Sequence, residues 1–264
     1  MIHYLRYCCA MFFALISFLL APPQRAQAQT REAYVAQSAD KTTLTFYYDD
    51  QRATRTGKLW GIEETKKEGD YTFPAWAGTW DVADRITTRV VFDASFRDFR
   101  PTTTARWFCN YSALKQVEGG EYLNPQNVTD MNGMFYSCSG LTSLDLSHFN
   151  TQNVTFMYRM FSGCSALTTI NSNTAWQCPQ SEEMFAGCTQ LKGAVAYDES
   201  KTDVTMADPE TGYFTAKPTA VESVRFGADG AQQIYTLQGK RVRGAWKHLP
   251  AGVYVVNGKK TVKP

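Results

Sequence analysis

The stretch that decides the fold is MFYSCSGL at residues 134–141, because it recurs twice further along the chain. The second copy is MFSGCSAL at residues 160–167, and the third is MFAGCTQL at residues 184–191. The offsets are 26 and 24 residues, and the segment QNVT at 126–129 returns unchanged at 152–155. Three in-register copies of one eight-residue pattern indicate an architecture built from internal repeats.

An earlier, degenerate copy lies at residues 107–114, where Trp107 replaces the methionine and Tyr111 replaces the cysteine. Four consecutive copies predict a repeat region over residues 107–217. One unit exposes apolar surface on both sides, which it can bury only against its neighbours.

Each unit changes its apolar spacing partway along. Over residues 128–138 apolar side chains recur at three- to four-residue steps, the spacing of one helix face, and Asn127 or Thr129 is placed to cap that helix. Over residues 141–146 they alternate, as on a strand. A short helical turn plus a strand in each unit predicts an α/β repeat solenoid of the leucine-rich-repeat type.

Five cysteines follow residue 28, namely Cys109, Cys138, Cys164, Cys178 and Cys188. Exported proteins often carry disulfides, but three of these cysteines occupy the same place in successive units. Neighbouring helical segments would hold them about 8–10 Å apart. We therefore predict buried free thiols that fill space as small apolar groups, with a Cys164–Cys178 or Cys178–Cys188 disulfide as the open alternative.

Residues 1–28 have the order of a secretory signal. His3 and Arg6 precede an apolar run over residues 7–20, and Ala26 and Ala28 supply the small residues of a cleavage site. A retained membrane anchor is the alternative, but the run is shorter than the ~20 residues that a spanning helix needs. We expect cleavage after Ala28, and a secreted or cell-surface protein.

The charge of the chain is balanced. It has 27 basic and 25 acidic residues, and removal of Arg6 and Arg25 with the signal leaves equal numbers of the two. A balanced chain carries no electrostatic signature of nucleic-acid binding, and no later segment is apolar enough to span a membrane. The sequence does not specify an oligomeric state.

The two flanks of the repeats do not repeat. Residues 29–106 are rich in β-branched and aromatic residues, and we expect a β-rich segment that caps the first repeat. Its Trp60, Trp76 and Trp80 are expected in the core, with a sugar-stacking platform as the alternative. Residues 218–264 predict a small β module with strands at 221–226, 233–237, 238–243 and 252–256, in which Asn257 and Gly258 mark a hairpin.

The pattern over residues 134–151 resembles the BspA-like leucine-rich-repeat surface proteins of oral and gut bacteria. The segments at 44–49, 193–198 and 211–215 are similar to the first and last segments of that family. The resemblance implies adhesion to, or binding of, host or neighbouring-cell proteins.

The segments at 234–242 and 249–255 are similar to the C-terminal sorting modules of type IX secretion. Thr236 stands where that pattern usually has Asp, and the module is shorter than the full version. A direct role in export and a merely related β tail both stay open.

No pattern of catalytic residues stands out. His148 and His248 belong to no recognisable constellation, and Cys138 with His148 is disfavoured as a nucleophilic pair because Cys138 falls on the interior face. We find no metal-ligand spacing and no glycine-rich phosphate loop. The sequence therefore predicts a non-enzymatic protein without a cofactor or metal.

A stack of repeats presents outward-facing strand residues that can vary without disturbing the interior. A protein ligand is the first hypothesis for this face, and a glycan bound at the Trp-rich segment is the second. The strand-face candidates for binding are Thr142, Ser143, Asp145, Ser147, His148, Thr168 and Thr169.

Overall fold

The computed structural model describes residues 30–217, 234–236, 251–256 and 259–263, together with residues 242 and 249. The predicted signal with its cleavage site, the predicted strand at 221–226, nearly all of the one at 238–243, and the Asn257–Gly258 turn lie outside the described residues.

The first half of the chain forms a five-stranded sheet and a separate hairpin. The sheet has the order β3-β1-β2-β6-β7. β1 is antiparallel to β2 and β3, whereas β6 is parallel to β2 and β7. β4 and β5 form the hairpin. The strands are β1 Glu32–Gln37, β2 Thr43–Asp49, β3 Lys58–Gly61, β4 Thr65–Glu68, β5 Tyr71–Pro74, β6 Arg89–Phe92 and β7 Gln116–Glu118.

Two smaller sheets follow. One is parallel, with the order β10-β9-β8, and consists of β8 Ser143–Asp145, β9 Thr169–Asn171 and β10 Phe214–Thr215. The other is antiparallel and consists of β11 Ile234–Thr236, β12 Gly252–Val256 and β13 Lys259–Lys263. Short 3-10 helices occur at Arg52–Thr54, Ala94–Asp98, Gly120–Tyr122 and Val204–Met206.

The prediction of an α/β repeat solenoid is wrong. The described residues contain no α-helix, and the fold is all-β, with several small separate sheets. Where a helix was expected, the chain makes consecutive turns. In the units at 134–141 and 160–167 the N–H of the phenylalanine after the methionine donates to the next unit instead of to its own segment. Phe135 donates to the carbonyl of Met160 at 2.8 Å and Phe161 to that of Met184 at 2.9 Å.

The backbone dihedral angles explain why no helix forms. The residue before each Met-Phe pair, and before Trp107-Phe108 in the degenerate unit, has a positive φ between 54° and 59°. These residues are Arg106, Gly133, Arg159 and Glu183. A positive φ also occurs three places after each of these methionines and after Trp107, at Asn110, Ser137, Gly163 and Gly187. Left-handed residues interrupt a right-handed helix. Turns closed by i to i+3 hydrogen bonds, as from Met134 to Met131, nonetheless keep the three- to four-residue apolar spacing.

The turn segments lie much closer together than helices would. Their phenylalanine rings are 5.2 Å apart between Phe108 and Phe135, 5.9 Å between Phe135 and Phe161, and 5.5 Å between Phe161 and Phe185. Tyr213 closes this row edge-on against Phe185 at 5.4 Å. One continuous hydrophobic core runs from Val35 to Phe214.

Candidate functional site

The repeated cysteines are hydrogen-bond donors in the core. The Sγ atoms of Cys138, Cys164 and Cys188 each lie 3.0 Å from a phenylalanine carbonyl of the preceding unit. All five described cysteines are free, so the prediction of free thiols is confirmed. The expected reason, a wide helix spacing, was wrong: each thiol donates to a backbone carbonyl of the preceding unit, and the carbonyls of Phe135 and Phe161 also accept a backbone N–H.

These thiols have little nucleophilic character. Burial raises the pKa of the Cys109 thiol to about 12, and burial raises the pKa values of Cys164 and Cys188 as well. The thiolate is the reactive form of cysteine. The thiols of Cys109, Cys164 and Cys188 therefore remain protonated at neutral pH.

We expect iodoacetamide at pH 8 to modify Cys178 first in the folded protein, because Cys178 is half-buried while the other four described cysteines are buried. Peptide mapping by mass spectrometry before and after denaturation measures this. Rapid labelling of Cys138 or Cys164 in the folded protein would contradict the buried arrangement.

The predicted strand face forms in part. Ser143 pairs with Thr169 across β8 and β9, and Asp145 pairs with Asn171, while Leu144 and Ile170 between them are buried. The polar groups are mostly engaged within the protein. Asp145 accepts from Ser147 and forms an ion pair with Lys217.

Thr168 and Thr142 join the same face, since the Thr168 hydroxyl donates to the Thr142 carbonyl at 2.9 Å. His148 does not belong to it. It lines a separate shallow cavity of about 270 Å³ with Glu121, Asn124 and Asn150. The structure thus divides the predicted binding residues between two places.

The three tryptophans do not form an exposed platform. Trp60 and Trp76 are buried in the core, and the Trp76 indole N–H donates to the Trp107 carbonyl. Trp80 is half-buried and packs edge-on against Phe73 and Tyr136.

An aromatic and cationic surface that sequence reasoning missed lies on the turn side of the units. We name it the aromatic–arginine surface, and it comprises Tyr71, Trp80, Arg106, Tyr136, Tyr158 and Arg159. Trp80 connects the hairpin to the repeats, with ring centroids 6.0 Å from Tyr71 and 4.7 Å from Tyr136. The side chains of Tyr71 and Tyr158 are exposed, at 54% and 36%.

Its two arginines are held over aromatic rings. The Arg106 guanidinium carbon lies 5.4 Å from the Trp80 ring centre, and that of Arg159 lies 4.8 Å from Tyr158. The hydrogen bond with Glu183 raises the pKa of Arg159, and the nearby Tyr158 and Tyr136 side chains add to that shift. Rings and guanidinium groups fixed in this way lose little side-chain entropy when a ligand binds.

A signal for this surface was present in the sequence. Tyr136 and Tyr158 each stand beside residues that the repeat pattern places inside, Phe135 and Met157. The expected helix directed attention to the strands instead.

In the described part of the chain, no group of three or more His, Cys, Asp or Glu side chains could hold a metal ion. Over the same residues no helix has the length and apolar character to cross a membrane.

A family model matches the repeat region of the chain. The family described as a Mycoplasma protein of unknown function, DUF285, matches residues 102–207. This segment contains the three Met-Phe units and the degenerate unit at 107–114, but it is less than half of the chain. No match was found among curated proteins or among solved structures.

This finding corrects the resemblances drawn from the sequence. The match is to the DUF285 family and gives no support to a BspA-like leucine-rich-repeat protein. Nothing that matches supports a type IX sorting module at the C-terminus either. The repeat motif itself is real, but its assignment to the leucine-rich-repeat class was wrong, because that class was inferred from a helix that does not form.

Proposed function

We propose that the protein is an exported, non-enzymatic binding protein that contacts a protein ligand through the aromatic–arginine surface. The observation that carries this proposal is the contact of Trp80 with Tyr136, Arg106 and the exposed ring of Tyr71. Arg159 extends this surface, because it lies over the exposed ring of Tyr158 and interacts electrostatically with Tyr136. Trp, Tyr and Arg dominate the energetics of protein interfaces.

The strand face is the weaker candidate on physical grounds. Its side chains are small, and Asp145, Ser147 and Thr168 already bond within the protein. Small polar side chains that are internally paired contribute little to affinity. Export is supported by the order of residues in the segment 1–28, and a cell-surface position would let many copies act together.

The chain from residue 29 onward can be screened on a microarray of extracellular and cell-surface proteins, and each hit measured by surface plasmon resonance. We expect the double variant Tyr136→Ala/Tyr158→Ala to bind about 30-fold more weakly, the effect of losing a hot spot of about 2 kcal/mol. The matched control is Ser143→Ala/Thr169→Ala, which we expect to keep its affinity. The proposal would be refuted if the ligands bound only the Ser143→Ala/Thr169→Ala variant more weakly, because the interface would then lie on the strand face.

If the protein made in an exporting host still carried residues 1–28, the export part of the proposal would be refuted. N-terminal sequencing of the protein recovered outside the cells is expected to begin at Gln29.

A further inference from the structure

A second concave surface lies on the outer side of the five-stranded sheet. Along β1, Val35 points into the core, so the neighbouring Ala36 points to the opposite face. There, between β1, β2 and the segment after the first 3-10 helix, is a cavity of about 390 Å³. Small-molecule sites commonly have volumes of ~300–1,000 Å³.

Three neighbouring side chains hold Arg55 in place within this cavity. Arg55 donates from Nη2 to Asp49 at 2.7 Å and from Nε to the Tyr34 hydroxyl at 2.9 Å. Its guanidinium carbon lies 3.7 Å over the ring of Tyr47. Its Nη1 makes no hydrogen bond to any described residue, so one donor edge is held rigidly with its hydrogens unused.

The other polar groups of the lining are uncharged. Thr45 and Thr56 line the cavity, and their side chains form no hydrogen bond with another described residue. Arg55 is the one charged residue of the lining, and Asp49 neutralises it through their ion pair. A charged ligand would therefore find no unpaired opposite charge, and an apolar one would leave several donors and acceptors unsatisfied.

Tyr47 adds a positioned hydroxyl. Its ring is stacked on Tyr34 at 5.4 Å, and the Arg55 guanidinium lies over it, so two neighbouring side chains hold the ring in place. Groups held in place before a ligand arrives favour binding because little further ordering is needed.

We infer that this cavity binds one neutral sugar unit, whose hydroxyls pair with Arg55 Nη1, Thr45 and Thr56. A compact ring that carries hydroxyl groups on several sides matches a lining of uncharged donors and acceptors around one neutralised guanidinium. This site is separate from the aromatic–arginine surface and does not depend on the proposed protein ligand.

The test uses saturation-transfer difference NMR and calorimetry on the chain from residue 29, with D-glucose, D-galactose, D-mannose and N-acetyl-D-glucosamine as probes. Sodium sulfate and sodium acetate serve as charged probes. We expect at least one sugar to bind and neither anion to displace it. Absence of binding by all four sugars, or displacement by an anion, would overturn the inference.

Variants at one position separate filling of the cavity from damage to the fold. Ala36→Phe fills the cavity with a residue suited to strands and is expected to weaken sugar binding by about tenfold or more, whereas Ala36→Ser leaves it open and keeps the affinity. Thr45→Val removes one hydroxyl at nearly constant volume and is expected to weaken binding by about fivefold. Thermal unfolding of each variant is followed by circular dichroism, and if Ala36→Phe does not fold, Thr45→Val decides.

The double variant Tyr136→Ala/Tyr158→Ala is expected to bind the sugar as the unmodified protein does. Equal sugar binding by a folded Ala36→Phe and Ala36→Ser, or unchanged binding by Thr45→Val, would refute this location of the site.

Discussion

Replacement of Phe161 by alanine is expected to lower the free energy of unfolding by about 3–5 kcal/mol, the range for large-to-small changes of a buried phenylalanine. Phe161 is fully buried. Its ring lies between those of Phe135 and Phe185, with interplanar angles of 10° and 14°. Its removal would open a cavity in the middle of the row, where neither neighbour can move in without leaving its own unit. Urea denaturation followed by tryptophan fluorescence measures the change.

The matched control for this prediction is Phe156→Ala. Phe156 belongs to the same unit but is 38% exposed, so its loss is expected to cost less than about 1 kcal/mol. Equal losses for the two variants would show that the row of rings does not carry the stability of the repeat region.

Replacement of Gly119 by alanine is expected to lower the free energy of unfolding by about 3–4 kcal/mol, because left-handed backbone strain adds to a steric clash. Gly119 has a φ of +67°, and a Cβ there would lie 2.2 Å from the carbonyl oxygen of Phe92. Because that oxygen is backbone of the adjacent strand β6, it cannot rotate away. Thermal unfolding by circular dichroism gives the loss.

Gly69 offers a control with the same backbone conformation and open space. Its φ is +55°, and a Cβ would meet no atom within 4 Å. Gly69→Ala is therefore expected to lower the free energy of unfolding only through left-handed backbone strain, by about 1–2 kcal/mol. A Gly119 variant no less stable than the Gly69 variant would contradict the close approach to Phe92.

The sequence was sufficient to predict which residues of a unit lie inside. Val128, Met131, Met134 and Cys138 are all buried, and Leu141, Leu144 and Leu146 are too. It was not sufficient for the backbone, because apolar spacing reports which side chains share a face and not where the N–H groups donate. At Phe135 the donor turns to the next unit, and this choice depends on left-handed residues that no apolar pattern reveals.

The aromatic–arginine surface could be predicted only in part, because the repeat pattern places Tyr136 and Tyr158 beside interior residues but does not show which other segment meets them. Trp80 is separated from Tyr136 by more than fifty residues, and only the packing of the hairpin beside the repeats brings the rings together. Short-range patterns contain no such pairing. The cavity at Arg55 likewise depends on a loop that folds back over two strands.

The left-handed backbone at the start of each unit bears on how the chain can change by mutation. At four equivalent positions Gly133 adopts this conformation without a side chain, while Arg106, Arg159 and Glu183 adopt it with one, at about 1–2 kcal/mol each. Glycine would be the more stable choice at all three. The side chains found there instead hold the rings of the exposed surface or the arginine beside them. At these three positions stability and recognition therefore favour different residues. Selection for thermal stability favours glycine, whereas selection for recognition favours the side chains that are present.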